Sequence, residues 1–421
     1  MAQGYDTEEQ KERVLLVGVQ LDNQEDMESS LEELKALAKT AGAETVGKVI
    51  QPRDAYHPAT YIGKGKLEEV RSLIEETGAT GIICDDELSP AQLRNLEDAL
   101  GTKVMDRTMV ILDIFASRAT TSEGKIQVEV AQLKYRSTRL TGLGTTLSRL
   151  GGGIGTRGPG EKKLETDRRI IRDRISRLSK DLEEIKNHRE VARQNRSRTA
   201  VPVAAIVGYT NAGKSTLLNY MTDAGILSED KLFATLDPTT RSLKLPSGQE
   251  ILLTDTVGFI RKLPHHLVQA FRATLEELQY ADILLHVVDA SDANRAEHIE
   301  VVYDTLRSLG CEDTPVITVF NKMDREVELP LPMDTMARDI VQVSAQNGDG
   351  MDVLLERVEK LLQSFRKSIT ALVPYTEGSL IGWIHGRCEI IREEHTGEGV
   401  LLEVYVDEES ANRLEKFKVN E

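Results

Sequence analysis

Two hydrophobic rhythms alternate over residues 13–117. Unbroken apolar runs such as Val14-Leu15-Leu16-Val17-Gly18-Val19 and Gly81-Ile82-Ile83-Cys84 have the length of buried strands. Leu31, Leu34, Leu37 and Ala38 instead recur at helical spacing and predict a helix over Met27 to Ala41. A second helix is expected after Ser89, which can cap it, with Pro90 at its first position. This alternation predicts a small, mostly parallel α/β domain over residues 1–117. Tyr61-Ile62-Gly63-Lys64-Gly65-Lys66 precedes a helix and can be read as a phosphate loop, but a lone GxG is weak and a structural turn is the better reading.

The rhythm changes over residues 118–198. Ile126, Val130, Leu133 and Leu140 step by heptad intervals, as do Ile171, Ile175, Leu178, Leu182 and Ile185. Between them, Gly151-Gly152-Gly153-Ile154-Gly155-Thr156-Arg157-Gly158-Pro159-Gly160 cannot be helical. Two long helices folding back as an antiparallel hairpin are expected, with a glycine-rich tip at 150–160. A third domain runs over 199–365. A small α+β domain follows over 366–421, with strands expected at Leu380-Ile381-Gly382-Trp383-Ile384 and Val400–Val406 and a helix from Ser410 to Phe417.

Charge sharpens this picture. The 421 residues carry a formal net charge of −16, which argues against bulk affinity for nucleic acid. Yet the segment Arg118 to Arg198 holds 20 Lys and Arg against 10 Asp and Glu, a net of +10 that leaves −26 for the remainder. Lys134, Arg136, Arg139, Arg149, Arg157, Lys162 and Lys163 bracket the tip against the single acid Glu161, which suggests a localised polyanion contact. Cys84, Cys311 and Cys388 lie far apart, so neither a disulfide scaffold nor a CxxC motif is present, and they read as small buried hydrophobes. The first residues show no basic stretch followed by an apolar run, so no signal peptide is expected, and no apolar run is long enough for a bilayer. A soluble cytoplasmic monomer is expected; attachment at a membrane surface stays open.

The chemistry lies in the third domain. The apolar run Val203-Ala204-Ala205-Ile206-Val207 enters Gly208-Tyr209-Thr210-Asn211-Ala212-Gly213-Lys214-Ser215 and then a helix, which is the P-loop pattern in its strand–loop–helix context. Backbone N–H groups and the helix N-terminus would cradle phosphate, with Lys214 reaching the β- and γ-phosphates and Ser215 offering its hydroxyl to Mg²⁺. Asn321-Lys322-Met323-Asp324, 107 residues after Lys214 at the end of another apolar run, selects guanine. The Asp324 carboxylate can accept from the guanine N1–H and exocyclic amine together, whereas adenine would leave it unpaired. Asn321 can tie this loop to the P-loop, and the Lys322 stem can cover the base.

Asp255-Thr256-Val257-Gly258 follows the run Ile251–Thr254, with Asp255 placed to hold Mg²⁺ through water and the Gly258 N–H to meet the γ-phosphate. Phe233-Ala234-Thr235-Leu236-Asp237 occupies the switch I position. Thr235 is the favoured Mg²⁺ ligand there, with Thr239 and Thr240 as alternatives. Ser344-Ala345-Gln346 can back the guanine with main-chain N–H groups. After Gly258, where many GTPases carry a water-orienting glutamine, stands Phe259, which cannot play that part. A metal hydrolase or a serine hydrolase is disfavoured: neither HExxH nor GxSxG spacing occurs.

These motifs alone describe a Ras-like P-loop G domain. Phe233 to Arg241 (FATLDPTTR), Asp255 to Pro264 (DTVGFIRKLP), Gly208 to Asn219 (GYTNAGKSTLLN) and Arg149 to Arg169 (RLGGGIGTRGPGEKKLETDRR) together make residues 10–365 resemble the HflX family of ribosome-associated GTPases. The resemblance implies a cytoplasmic, Mg²⁺-dependent enzyme that hydrolyses GTP to GDP. It also implies binding to ribosomal RNA of the large ribosomal subunit, with the hairpin tip near the peptidyl-transferase region, and help in splitting or rescuing stalled ribosomes. A nucleotide switch docking a protein or membrane partner through the hairpin is the rival reading.

Overall fold

The computed structural model describes residues 11–21, 26–140, 159–196, 201–222, 232–233, 236, 239–262, 276–365, 367–406, 411 and 413–419. The chain divides into two compact units. One comprises Met1–Glu183 with two later segments, Glu229–Asp237 and Ile260–Ala273; the other comprises Glu184–Ser228, Pro238–Phe259 and Thr274–Glu421.

In the first unit, β1 (Arg13–Gln20), β2 (Glu44–Pro52), β3 (Gly81–Cys84) and β4 (Lys103–Asp106) form a fully parallel sheet in the order β2-β1-β3-β4. Helices α1 (Met27–Thr40), α2 (Lys64–Thr77), α3 (Pro90–Leu100) and α4 (Arg107–Arg118) alternate with the strands. The two central strands are buried along almost their whole length, which is why they read as unbroken apolar runs. Helix ends follow local chemistry. Asp26 caps α1, and Ser89 forms a capping box with Gln92 around Pro90. Gly78 and Gly101 close α2 and α3 in left-handed conformation. The Tyr61–Lys66 loop is a structural turn. The Tyr61 hydroxyl donates to Asp86 (2.6 Å), Gln51 Oε1 accepts from the Gly63 N–H (2.8 Å), and Lys66 pairs with Glu69.

Helices α5 (Ser122–Leu140) and α6 (Pro159–Arg196) are the expected long pair. Arg174 makes a two-pronged contact with Glu129, and Arg168 Nη2 donates to the Leu140 carbonyl. Residues later in α5 thus meet residues earlier in α6, an antiparallel arrangement. On α6 the less exposed stripe is the expected one: Leu178 is buried, and Ile171, Ile175, Leu182 and Ile185 are half-buried. On α5 the expected stripe is only partly right. Val130 is buried but Ile126, Leu133 and Leu140 are half-buried, and the deepest positions are Gly124, Gln127, Val128, Ala131 and Tyr135. The cause is that α5 packs mainly onto α4. The glycine-rich tip, with Arg149 and Arg157, lies outside the described residues.

In the second unit, β5 (Val203–Gly208), β6 (Thr239–Lys244), β7 (Glu250–Asp255), β8 (Ile283–Asp289), β9 (Val316–Asn321) and β10 (Asp339–Gln342) form one sheet in the order β10-β9-β8-β5-β7-β6. All pairs are parallel except β6 with β7. Among the described residues helices α7 (Lys214–Thr222), α8 (Arg295–Ser308) and α9 (Met351–Ser364) accompany it, and Leu217, Leu218, Leu354, Val358 and Leu362 share a core with the sheet. A separate core forms beyond residue 366, where β11 (Lys367–Val373), β12 (Glu389–His395) and β13 (Val400–Val406) make an antiparallel sheet. Here one expectation fails. Leu380–Ile384 is not a strand but part of helix α10 (Gly378–Arg387). Leu380, Ile381 and Ile384 stand at i, i+1 and i+4, a helical stripe that packs on the antiparallel sheet. Trp383 is half-buried at this core's edge under Arg413, and where a helix was expected from Ser410 to Phe417 the described residues Ala411, Arg413 and Leu414 are helical and run into the 3₁₀ turn Glu415–Phe417. Cys84 and Cys311 are buried as expected; Cys388 is half-buried.

One residue joins three elements of the first unit. Asp106 is fully buried at the β4–α4 junction. Its Oδ1 accepts from the Met109 N–H (2.9 Å) and the Tyr135 hydroxyl (2.6 Å), and its Oδ2 from the Leu88 N–H (3.0 Å) and Arg139 Nη2 (2.6 Å). Asp106→Ala orphans all four donors, one of them a cation. A stability loss of ~3–5 kcal/mol is expected, seen as a lower unfolding midpoint for the first unit in thermal melts. An unchanged midpoint would show that the hub is not holding α5 to the sheet.

Candidate functional site

The predicted site residues of the second unit converge where β5, β7, β8 and β9 end and just past β10, at the carboxyl edge of the parallel sheet. Helix α7 begins at Lys214, directly after the loop 209–213. The loop needs unusual backbone. Gly208 has φ 151°, and a Cβ there would lie 2.2 Å from the Val287 carbonyl oxygen; Gly213 has φ 95°, and a Cβ would lie 2.2 Å from Asn321 Nδ2. Asn211 takes a left-handed φ of 64°, tolerable for asparagine.

Lys214 is buried, with Nζ donating to the carbonyls of Gly208 (3.1 Å) and Tyr209 (2.8 Å). Burial pulls its pKa down to about 8, against the pull of nearby Asp255. The Ser215 hydroxyl donates to Asp255 Oδ2 at 2.9 Å, placing a hydroxyl of the first turn of α7 beside the carboxylate that ends β7. Thr256 is buried and donates to the Ile206 carbonyl (2.7 Å), and Val257 is also buried.

The Asp255–Gly258 run does not stop at the strand end. The Phe259 N–H donates to the Gly208 carbonyl (3.1 Å), and the Thr210 N–H donates to the Phe259 carbonyl (2.8 Å), so strand pairing continues into the P-loop. Gly258 passes so close that a Cβ would meet Thr210 Cα at 2.9 Å and Lys214 Nζ at 3.0 Å. Phe259 is 2% exposed, a packing residue. Tyr209 stacks on His298 of α8, with ring centroids 3.8 Å apart.

Asn321 links three loops. Its Nδ2 donates to the Ala212 carbonyl (2.9 Å) while its Oδ1 accepts from the Ala345 N–H (2.9 Å). Lys322, at φ 65°, reaches back to the Asn211 carbonyl (2.7 Å) and to Asp289 Oδ2 (2.6 Å). Asp324 accepts from the Ser344 hydroxyl (2.6 Å), and the Met323 N–H donates to the Val343 carbonyl. Gln346 follows in the same turn and is exposed. Sequence reasoning missed Asp289, although it ends an apolar run just as Asp255 does.

The switch I residues are placed differently. Phe233 and Leu236 are buried in the first unit, with Phe233 edge-on to Phe115 of α4 at 4.7 Å. Ala234, Thr235 and Asp237 lie outside the described residues. Thr239 and Thr240 are in β6, where Thr240 Oγ1 shares a hydrogen bond with Thr254 Oγ1 (2.9 Å). Among the described residues, no cluster of three His, Cys, Asp or Glu side chains could hold a metal, and no helix is long and apolar enough to cross a membrane.

Three family models match the chain: GTP-binding GTPase N-terminal over residues 28–116, GTP-binding GTPase middle region over 118–196, and 50S ribosome-binding GTPase over 203–322. GTPase HflX of Lacrimispora saccharolytica is 59% identical over 409 residues, covering 97% of each chain. GTPase HflX of Escherichia coli is 44% identical over 379 residues, covering 89% of each. A GTP-binding protein of the archaeon Sulfolobus solfataricus, solved with GDP, is 25% identical with a TM-score of 0.44, covering 83% of this chain and 98% of that one. With relatives this similar along nearly its whole length, and a P-loop and an NKxD loop joined through Asn321, the chain belongs to the HflX family of GTPases and hydrolyses GTP.

Proposed function

We propose that the protein binds GTP with Mg²⁺ at the carboxyl edge of the second unit's sheet and acts, in the cytoplasm, on the large ribosomal subunit, helping to split or rescue stalled ribosomes. The observation that carries the nucleotide assignment is the double hydrogen bond of Asn321. It fixes the P-loop against the loop of Lys322, Met323 and Asp324 and against Ser344 and Ala345. In this reading, N–H groups of residues 211–215 receive the β-phosphate. Asp324 reads the guanine edge, the Lys322 stem lies along the base, and Ala345 and Gln346 back it. Gly258 offers its N–H to the γ-phosphate.

The Ser215 hydroxyl beside the Asp255 carboxylate is a pair of hard oxygen donors that suits Mg²⁺. Bound there, the ion would neutralise charge on the phosphate oxygens. Thr235 remains the proposed switch I ligand. The chain's own share in hydrolysis is positioning and electrostatics: Lys214 supplies positive charge, and the P-loop and Gly258 fix the γ-phosphate. Support for the ribosomal partner comes from the family model's 50S-binding description and from the net +10 of the α5–α6 region within an acidic chain.

Lys214 gives the first test. At pH 8 about half of a lysine of pKa about 8 is neutral. Phosphates raise that pKa, so GTP binding should take up about half a proton at pH 8 and far less at pH 6.5. Calorimetry in buffers of different ionisation enthalpy measures this, and zero uptake at pH 8 would separate Lys214 from the phosphates.

Asp324→Asn exchanges one guanine acceptor for a donor. It should cost at least ~2 kcal/mol of GTP affinity and shift preference toward xanthosine nucleotides. Wild-type GTP affinity in the variant would remove Asp324 as the base reader. For the ribosomal partner, Arg149, Arg157, Lys162 and Lys163 changed together to serine should make log K against log salt for large-subunit binding shallower by about two to four units, with GTP binding unchanged. An identical salt slope would take the tip out of the RNA interface.

A further inference from the structure

Asn321 and Lys322 grip the P-loop side by side. Asn321 Nδ2 takes the Ala212 carbonyl, and Lys322 Nζ takes the carbonyl of the residue before it, Asn211 (2.7 Å). The first grip is short and stiff, since Asn321 is buried and bonded at both ends of its amide. The second hangs from a four-carbon stem whose rotamers must be frozen for the ammonium to stay in place. Lys322 also stands in a left-handed conformation (φ 65°), a cost that a non-glycine residue bears only when its surroundings impose it. The second acceptor of its ammonium is Asp289 Oδ2, at 2.6 Å.

Asp289 is itself fixed from its own strand. It is the last residue of β8 and lies directly opposite Asn321 in the β8–β9 register. Its neighbours Val288 and Ala290 are buried in a small core with Ile299 and Phe320, and the Ala290 N–H donates to the Asn321 carbonyl (2.9 Å). Asp289 Oδ1 accepts from the Ser291 N–H (3.0 Å) and the Ser291 hydroxyl (2.6 Å), a turn that sets the direction of the carboxylate. Oδ2 then faces Lys322. A carboxylate can serve both sets of donors at once, whereas asparagine has one oxygen and cannot. The lysine and aspartate side chains are 14% and 16% exposed, so salt screens the pair less than it would at the open surface.

We propose that Asp289 is a positioning residue for nucleotide binding: by holding the Lys322 ammonium on the Asn211 carbonyl, it clamps the P-loop to the base loop and sets how long a guanine nucleotide stays bound. This rests on the reading that the Lys322 stem lies along the guanine. With the ammonium fixed at two acceptors, the stem has one course, and the base meets a wall already in place. Without the carboxylate the ammonium keeps one acceptor, and the stem must be ordered each time a nucleotide binds. The clamp involves neither Gly258 nor the γ-phosphate, so GDP and GTP gain from it alike.

The test uses the full chain with two replacements of the acid. Asp289→Asn keeps its size; Asp289→Ser can still accept from the Ser291 N–H but is too short to reach the lysine. Each is made alone and together with Lys322→Met. Dissociation of fluorescent GDP and of a fluorescent non-hydrolysable GTP analogue is measured, with the half-saturation and maximal rate of single-turnover GTP hydrolysis. Both Asp289 variants should speed dissociation of the two nucleotides by the same factor, about tenfold, and weaken half-saturation while the maximal rate moves less than about twofold. In the Lys322→Met background they should change dissociation by less than about twofold, because the group they act through is gone. Wild-type dissociation rates in both Asp289 variants would overturn the proposal. So would an equal acceleration with and without the lysine, or a fall in maximal rate as large as the loss of binding, either of which would make Asp289 a support of its own turn only. If Lys322→Met alone released nucleotide no faster than wild type, the reading of the Lys322 stem would fail, and this inference with it.

Discussion

The nucleotide site depends on how a buried ammonium is held. Lys214 donates to two P-loop carbonyls, so its position is dictated by the course of the backbone through Gly208 and Tyr209. That course exists only because Gly208 can press against the Val287 carbonyl and Gly213 against the Asn321 amide. Parallel pairing of β5 with both β7 and β8 presents these backbones to one another, and Asn321 locks the result by bonding Ala212 on one side and Ala345 on the other. A burial that lowers the lysine's pKa to about 8 is destabilising by itself, and anionic phosphates would relieve it. The site thus carries an electrostatic deficit matched to its ligand.

What was legible in the sequence was local. A P-loop announces itself because each of its residues answers a backbone or ligand demand within eight positions. The central strands β1, β3, β5 and β9, buried along nearly their whole length, read as plain apolar runs. Capping at Ser89 and the seam of α6 from Ile171 to Ile185 were equally readable. What escaped was set by distant partners. Leu380–Ile384 holds too few residues to separate a helical from an extended pattern, and its core arrives from β11 and β13. The α5 seam was displaced because α4, which precedes it, claims another face. Asp289 gained meaning only when Lys322, 33 residues later, folded onto it. The partners of Lys262 lie 177 and 176 residues earlier, a distance no periodicity can span.

The same distance effect explains why the two switch segments looked like ordinary parts of the G domain. Their sequences, FATLDPTTR and DTVGFIRKLP, carry nothing that marks Phe233, Ile260, Arg261 or Lys262 as residues of another core. Burial of Phe233 and Ile260 and the pairing of Arg261 and Lys262 supply that information. Segments that must move with nucleotide are usually drawn from weakly held structure. Here Phe259 is held by backbone bonds to Gly208 and Thr210, and Lys262, within the first unit, by ion pairs with Asp85 and Asp86.

Phe259 brings these constraints to bear on the reaction. It stands where many GTPases present a glutamine to the attacking water. A phenyl ring cannot orient water, and at 2% exposure this one is committed to packing. Its backbone, by contrast, is engaged through both N–H and carbonyl with Gly208 and Thr210. The position has therefore exchanged a chemical role for a mechanical one: it continues the β5–β7 pairing into the P-loop and hands the chain to the first unit. On the reading proposed above, the rate comes from the placement of the phosphates, Mg²⁺ and the Gly258 N–H rather than from a side chain that polarises water.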